Sequence, residues 1–485
     1  MLRRIPFPLV ALCATALLLG AAWSLVTPPF QAPDENSHFS YVEYLSRTGQ
    51  LPGDAAKPPF STEQREAGLA SNSDQVAGNL ATKMSWNPAD WQAWQDREHQ
   101  LGGAQKRDSG GAVSAASNPP LYYVYESLAA TATGGSNLFT RLTWERLTSM
   151  LWTLALVVFA WLLAGELLQR DRQLQFVAAA VAGFLPMVQF VSASVTPDAM
   201  LYAIWAAVLW RGTVVLKRGL TPVNAGIFLA LVGAACVVKA TSYALLPATL
   251  LVLAVGLWRV RDAGARAFWR LLAAGGGLAV TLGVWFFVAH QSNRSAAAQV
   301  TDATSSGSFH LHDFLSYLYQ YYFPRLPGQG RYPFPPYVHG VPFYDVVLRG
   351  VFGTFGWTEV RLPEAIQVGL SAVTGLIAAA VVATLVRLRR LIDLPVLAFF
   401  AVTVLALLVG LQWTDYNKLR ESSYLVGFNQ GRYLLPLAAL GGVAVALAVR
   451  LVPRPVRSTA VAWVVTGLVV FNLYSLGLTA WRFYA

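Results

Sequence analysis

The sequence predicts an all-α polytopic membrane protein: a single transmembrane domain over 1–485, a bundle of about 11 transmembrane helices with outer-face juxtamembrane helices. Three observations predict it. The 485 residues are 55% hydrophobic and only 13% charged, where soluble domains carry about 25% charged residues. Apolar runs of about 18 residues or more recur, long enough to cross a hydrocarbon core about 30 Å thick and too continuous for barrel strands. The basic residues fall on alternate connections between those runs.

In chain order the spans are read at 8–26, 147–169, 174–191, 198–216, 222–238, 241–258, 270–289, 365–386, 394–412, 433–450 and 459–481. Arg3 and Arg4 precede the first. With that end inside, the inner loops and tail hold sixteen basic residues, among them Arg170, Arg172, Arg387, Arg450, Arg454 and Arg457, against three acids, Asp171, Asp262 and Asp393. The positive-inside rule therefore orients the bundle with a cytoplasmic N-terminus. It also accounts for the net charge of +11 without nucleic acid as a partner. The two cysteines, Cys13 and Cys236, lie in apolar runs, which argues against a disulfide framework or a cysteine metal site.

Three long connections fall outside, over 27–146, 290–364 and 413–432. The first carries thirteen of the chain's twenty-five acidic residues. Its middle, roughly 53–118, is rich in Ala, Gly, Ser, Asn and Gln and reads as a mobile, solvated segment.

The start of that loop, "PPFQAPDENSHFSYVEYL", sets Asp34, Glu35 and His38 just after a span. Pro33 and Asp34 resemble a helix start, and His38, Tyr41, Val42 and Leu45 recur at helical spacing, as in a helix along the membrane surface. Asp34 and Glu35 would serve such a helix as N-cap and dipole partner. A carboxylate at this depth also suits a general base for an incoming hydroxyl, and a second suits a hard divalent cation bridging to phosphate. On that reading Asp34, Glu35 and His38 are the catalytic candidates and also the candidate metal ligands, for Mg²⁺ or Mn²⁺.

Further polar groups stand at outer span ends. "SNPPLYYVYESL" places Asn118 and Tyr122, "TRLTWERL" places Arg146, "SASVTPDAML" places Asp198, "VVKATSYALLP" places Lys239, and "NQGRYLLP" places Arg432. Each alone reads as a snorkelling or interfacial residue. Together, cations on the side where the positive-inside rule disfavours them fit recognition of a phosphate. These six are the substrate-binding candidates. The aromatic and proline-rich stretch 320–345 reads equally as a sugar-stacking platform or an interfacial loop.

"PDENSHF" resembles the acidic motif in the first outer loop of the GT-C glycosyltransferases, which include the protein O-mannosyltransferases and the lipid A aminoarabinose transferases. "NPPLYY" resembles their second juxtamembrane motif, with Asn118 where a histidine is usual. With "TPDAM", "FGTFGWTEVRLP" and "NQGRYLLP", the chain looks most like a large, mostly uncharacterised bacterial membrane-protein family of that clan. The resemblance implies a GT-C-like bundle in the cytoplasmic membrane with its active site on the outer, periplasmic face. It implies a polyprenyl-phosphate-linked sugar donor, an envelope glycan, lipid or protein acceptor, and an inverting displacement with Asp34 as base. Glu35 and His38 would then bind metal or orient, and Arg146, Lys239 and Arg432 would meet phosphate. Two other classes stay open: a lipid-linked saccharide transporter or flippase, and a non-catalytic subunit of an envelope polymer assembly machine. The spans are nearly free of charge at mid-depth, where transporters bind substrate.

Overall fold

A chain with so little charge leaves its backbone no water to bond inside a bilayer, and helices satisfy every N–H and C=O internally. The computed structural model describes residues 6–84, 87–111, 113–260, 310–330, 340–387, 393–420 and 429–485, with a few residues between 275 and 283. In chain order the elements used below are α1 (Phe7–Val26), α2 (Glu35–Thr48), α3 (Leu121–Ala132), α4 (Leu138–Leu167), α5 (Arg172–Phe184), α6 (Pro186–Ser192), α7 (Pro197–Arg218), α8 (Pro222–Cys236), α9 (Ala240–Arg259), α10 (Glu364–Arg387), α11 (Leu394–Leu419), α12 (Gly431–Arg450) and α13 (Arg454–Tyr484).

Among the described residues, eight of these helices are long and apolar enough to cross a membrane: α1, α4, α7 and α9 to α13. The pair α5 and α6 makes a ninth if counted as one span, bent by 54°. The bend is at Pro186, which lacks an N–H and holds Leu185 extended before it. The span read at 222–238 is α8, an apolar helix of only 15 residues. The span read at 270–289 lies mostly outside the described residues.

α7 is the central helix, with 89% of its apolar window buried, whereas α10 has 6% buried and presents its length outward. Small residues let neighbours approach α7: Gly212 leaves no room for a Cβ against Phe399 of α11. α7 packs against α4, α8, α9, α11 and the start of α12. The first and last of these helices are also tied, because the Trp23 indole donates to Asn472 of α13 at 3.1 Å.

The loop after α1 differs from its composition-based reading. The stretch 53–118 contains helices at Thr62–Ala70, Ser73–Val76 and Pro88–Gln100, the last with a full capping box from Asn87 and Asp90. Trp94 is fully buried there. Ionic contacts supply the order that hydrophobicity does not: Arg141 of α4 donates to Glu43 of α2 at 3.1 Å and to Glu63 at 2.7 Å, all three being buried. The end of α13 holds the same loop, with Arg482 donating to the carbonyls of Val76, Asn79 and Thr82.

Candidate active site

Four helix starts meet at one end of the bundle. Asp34 stands at the N-cap position of α2, Asp198 in the first turn of α7 behind the Thr196 cap, Lys239 immediately before α9, and Arg432 in the first turn of α12. The side-chain oxygen Oδ2 of Asp34 accepts from Arg432 at 2.8 Å. Lys239 donates to Asp198 at 2.6 Å. The two cations lie over one ring, that of Tyr433, at 5.7 Å for Lys239 and 5.4 Å for Arg432. Tyr202 of α7 ties the pairs together by donating to the Arg432 carbonyl at 3.3 Å. Helix N-termini carry partial positive charge, so this end of the bundle favours anions twice over.

The backbone around Asp34 explains its exposure. Asp34 adopts the left-handed conformation (φ 62°, ψ 7°) and its side chain does not cap α2. Asn36, in the first turn, makes only a local bond, its Oδ1 accepting from the neighbouring Ser37 N–H at 2.8 Å. The Asp34 carboxylate turns instead toward Arg432 and keeps 40% of its surface, against 5% for Arg432. Burial alone would push its pKa up. Arg432 above all, with His38 and Lys239, more than offsets this and holds it below the usual carboxylate range. Arg432 is placed by Gly431, where a Cβ would run into the backbone of Gly350.

His38 is buried, and its Nδ1 lies 2.8 Å from the Tyr123 hydroxyl. That hydroxyl accepts from Asn118 Nδ2 at 3.1 Å, so its own proton is available to Nδ1, which leaves a neutral imidazole. Burial drives the His38 pKa down to about 4, and Asp34 only partly opposes this. Tyr41 stacks on Tyr123 at 3.6 Å and fixes the ring.

Three expected members, Glu35, Arg146 and Tyr122, do not join this cluster. Glu35 is fully buried and takes two N–H bonds from Arg146, at 2.7 and 2.5 Å, plus the backbone N–H groups of Phe30 and Val195. Arg146 spends its other three N–H donors on the carbonyls of Ser24, Thr27 and Pro28. All five guanidinium donors are thus engaged, and none is left for a phosphate. Tyr122 turns the other way, to Ser149 at 3.0 Å. The metal set of Asp34, Glu35 and His38 therefore does not fit: Glu35 is neutralised by Arg146, and Asp34 faces a cation. Among the described residues, no group of three His, Cys, Asp or Glu side chains is arranged to hold a metal ion.

Tyr123 and Tyr433 were not singled out in the sequence. Tyr433 is adjacent to Arg432, and that adjacency was the available signal. Tyr122 and Tyr123 are equivalent as letters, and only the packing of α3 on α2 chooses between them. The hairpin of β1 (Thr354–Phe355) and β2 (Val360–Arg361) uses the "FGTFGWTEVRLP" motif to brace the site loop. Its Trp357 donates to the Phe30 carbonyl at 3.1 Å. His339 and part of the 320–345 stretch lie outside the described residues.

Fold and site together define a multi-pass helical membrane protein with a carboxylate–cation centre at one end of its spans. The chain belongs to the family described as Predicted membrane protein (DUF2142), which matches residues 17–440. No curated protein matches the sequence. Among solved structures, the chain is similar to ArnT from Cupriavidus metallidurans bound to undecaprenyl phosphate, at 14% identity and TM-score 0.46, covering 98% of this chain and 74% of that one. It is also similar to the archaeal oligosaccharyltransferase AglB from Archaeoglobus fulgidus in complex with an inhibitory peptide and a dolichol-phosphate. There the identity is 10%, the TM-score 0.46, and the coverage 98% and 55%.

Proposed function

We propose that the chain is a GT-C-type membrane glycosyltransferase that moves a sugar from a polyprenyl-phosphate donor to an envelope acceptor on the outer face of the cytoplasmic membrane. The supporting observation is the pairing of a half-exposed carboxylate, Asp34, with Arg432, beside Lys239, where four helices begin. A lipid-tailed donor reaches a site only at headgroup depth, and span ends lie there. The acceptor hydroxyl attacks C1 of the sugar while Asp34 accepts its proton. The C1–O bond to phosphate breaks, and the electron pair leaves with the phosphate. Lys239, Arg432 and the helix N-termini offset the charge that builds on it. One displacement inverts the anomeric centre. Arg432 keeps Asp34 ionised before substrate arrives, and engagement of Arg432 with phosphate returns basicity to Asp34 as the reaction begins. His38, neutral and locked by Tyr123, orients. No step uses a metal ion.

The test is sugar transfer from a labelled polyprenyl-phosphate donor in membranes holding the protein or its Asp34→Asn variant. Loss of transfer by about 10²–10⁴-fold, with protein level and donor binding retained, is expected. Full activity of the variant would overturn the assignment of the base.

A further inference from the structure

The far end of the bundle holds a different feature. α12 carries Arg432 at its first turn and Arg450 at its last, eighteen residues on, or about 27 Å along a helix. Around Arg450 is a cavity of about 490 Å³, lined also by Arg387 at the end of α10 and by Arg454 and Arg457 at the start of α13. The one acid in its wall is Asp171, leaving three positive charges uncompensated. The rest of the wall is mainly apolar, from the ends of α4 and α5 and the link between α12 and α13.

The arginines are not equivalent. Arg457 is built in: it lies 3.5 Å from Asp171 and donates to the carbonyls of Arg450 and Val452 at 3.0 and 3.3 Å. Its Nε remains buried without a partner. Arg387, Arg450 and Arg454 make no ion pair among the described residues. Beside them the chain is strained, because Gln169, which lines the cavity, and Arg170 follow one another in the left-handed region at φ 56° and 58°. Non-glycine residues held in that region collect where a loop shapes a ligand site. The positive-inside rule asks for basic residues in these loops; it does not ask for four guanidiniums around one hollow.

We infer that this cavity binds the phosphate of an anionic phospholipid headgroup, at a site separate from the Asp34 centre and independent of its chemistry. A guanidinium donates two parallel N–H bonds to phosphate oxygens, and several unpaired forks around one cavity provide that geometry. The lipid, rather than a free anion, is indicated by α10. Its last turns expose Val382 and Val386, at 60% and 64%, directly before Arg387. Acyl chains lying on that apolar face bring the headgroup to the cavity mouth, in the manner of basic pockets between transmembrane helices.

The experiment uses the full chain, purified in uncharged detergent and titrated with phosphatidylglycerol, with phosphatidylcholine, and separately with inorganic phosphate. Bound lipid is read by native mass spectrometry and the protein by its Tm. Phosphatidylglycerol should be retained where phosphatidylcholine is stripped, and should raise Tm where inorganic phosphate does not. Arg450→Gln with Arg454→Gln should weaken phosphatidylglycerol binding about tenfold or more, since a charge-assisted hydrogen bond contributes about 1.5–3 kcal/mol. The Lys versions, which keep the charge and hence the topology, should lose part of it. Asp171→Asn should tighten binding severalfold, because Asn still caps α5 but removes the cavity's negative charge. Equal phosphatidylglycerol retention by all variants overturns the site, and an equal response to inorganic phosphate overturns the lipid assignment.

Discussion

Glu35 and Arg146 face each other through two N–H···O bonds in a site where Glu35 has no solvent contact and Arg146 almost none. Glu35 sits beside Asp34 in sequence, yet the two carboxylates do opposite work. One turns inward to close the bend after α1, and the other turns outward to the site.

The first prediction follows from that pair. Glu35→Gln leaves Arg146 as an uncompensated buried charge, and breaking such a pair costs about 3–5 kcal/mol. The variant should lose folded protein and Tm, read by thermal unfolding in detergent. Added Mg²⁺ or Mn²⁺ should restore neither stability nor transfer; restoration by metal would return Glu35 to the role of ligand.

Lys239 and Arg432 should behave unlike Arg146. Replacing either of the first two by Ala should weaken polyprenyl-phosphate binding. Arg432→Ala leaves a carboxylate that keeps 40% of its surface and should still fold, whereas Lys239→Ala strands the buried Asp198 and should also lower Tm. Arg432→Lys should recover part of the loss. Arg146→Lys should fail at folding, because a single ammonium cannot replace five directed donors. Donor affinity that is unchanged in both Lys239→Ala and Arg432→Ala would remove them from phosphate recognition.

His38 makes stability depend on pH. Its folded pKa of about 4 lies below the ordinary value of 6.5, so between those values the unfolded chain holds a proton that the folded one refuses. Stability from this residue is therefore complete above about pH 6.5 and falls as the pH drops toward 4, by at most about 3 kcal/mol. The Tm of His38→Asn, whose Oδ1 can take the Tyr123 hydrogen bond, should decline less over that range. Parallel Tm curves for the two proteins would count against a buried neutral imidazole.

Tyr123 tests the positioning of His38. Tyr123→Phe keeps the stack on Tyr41 but removes the hydroxyl's hydrogen bonds with Asn118 Nδ2 and His38 Nδ1, at about 1–3 kcal/mol for the buried imidazole nitrogen. Transfer should fall through kcat more than KM if His38 orients the reacting groups. An equal change in both would reduce Tyr123 to a packing residue.

The bundle was legible because apolar runs and alternating basic loops are local, additive signals. Arg432 and Lys239 were legible as cations at the wrong ends of spans, Asp198 as an acid at a span start, and Asp34 as an acid after a proline-rich bend. Direction was not legible. Nothing in "PDENSHF" says that Asp34 takes the left-handed conformation and leaves α2 without a side-chain cap. Nor does it say that Glu35 meets an arginine 111 positions away. The order in 53–118 was hidden for the same reason, since its anchors Glu43, Glu63 and Arg141 are distant in sequence and a composition count sees only polarity.

The Asp34–Arg432 pair joins residues 398 positions apart. At ~5–20 residues per second, roughly 20 to 80 s of synthesis separate the carboxylate from its cation. Throughout that interval Asp34 is an ordinary carboxylate beside an unfinished bundle, without the guanidinium that lowers its pKa. The pair forms only once α12 has joined the bundle, so a chain stopped short of Arg432 carries Asp34 without its partner.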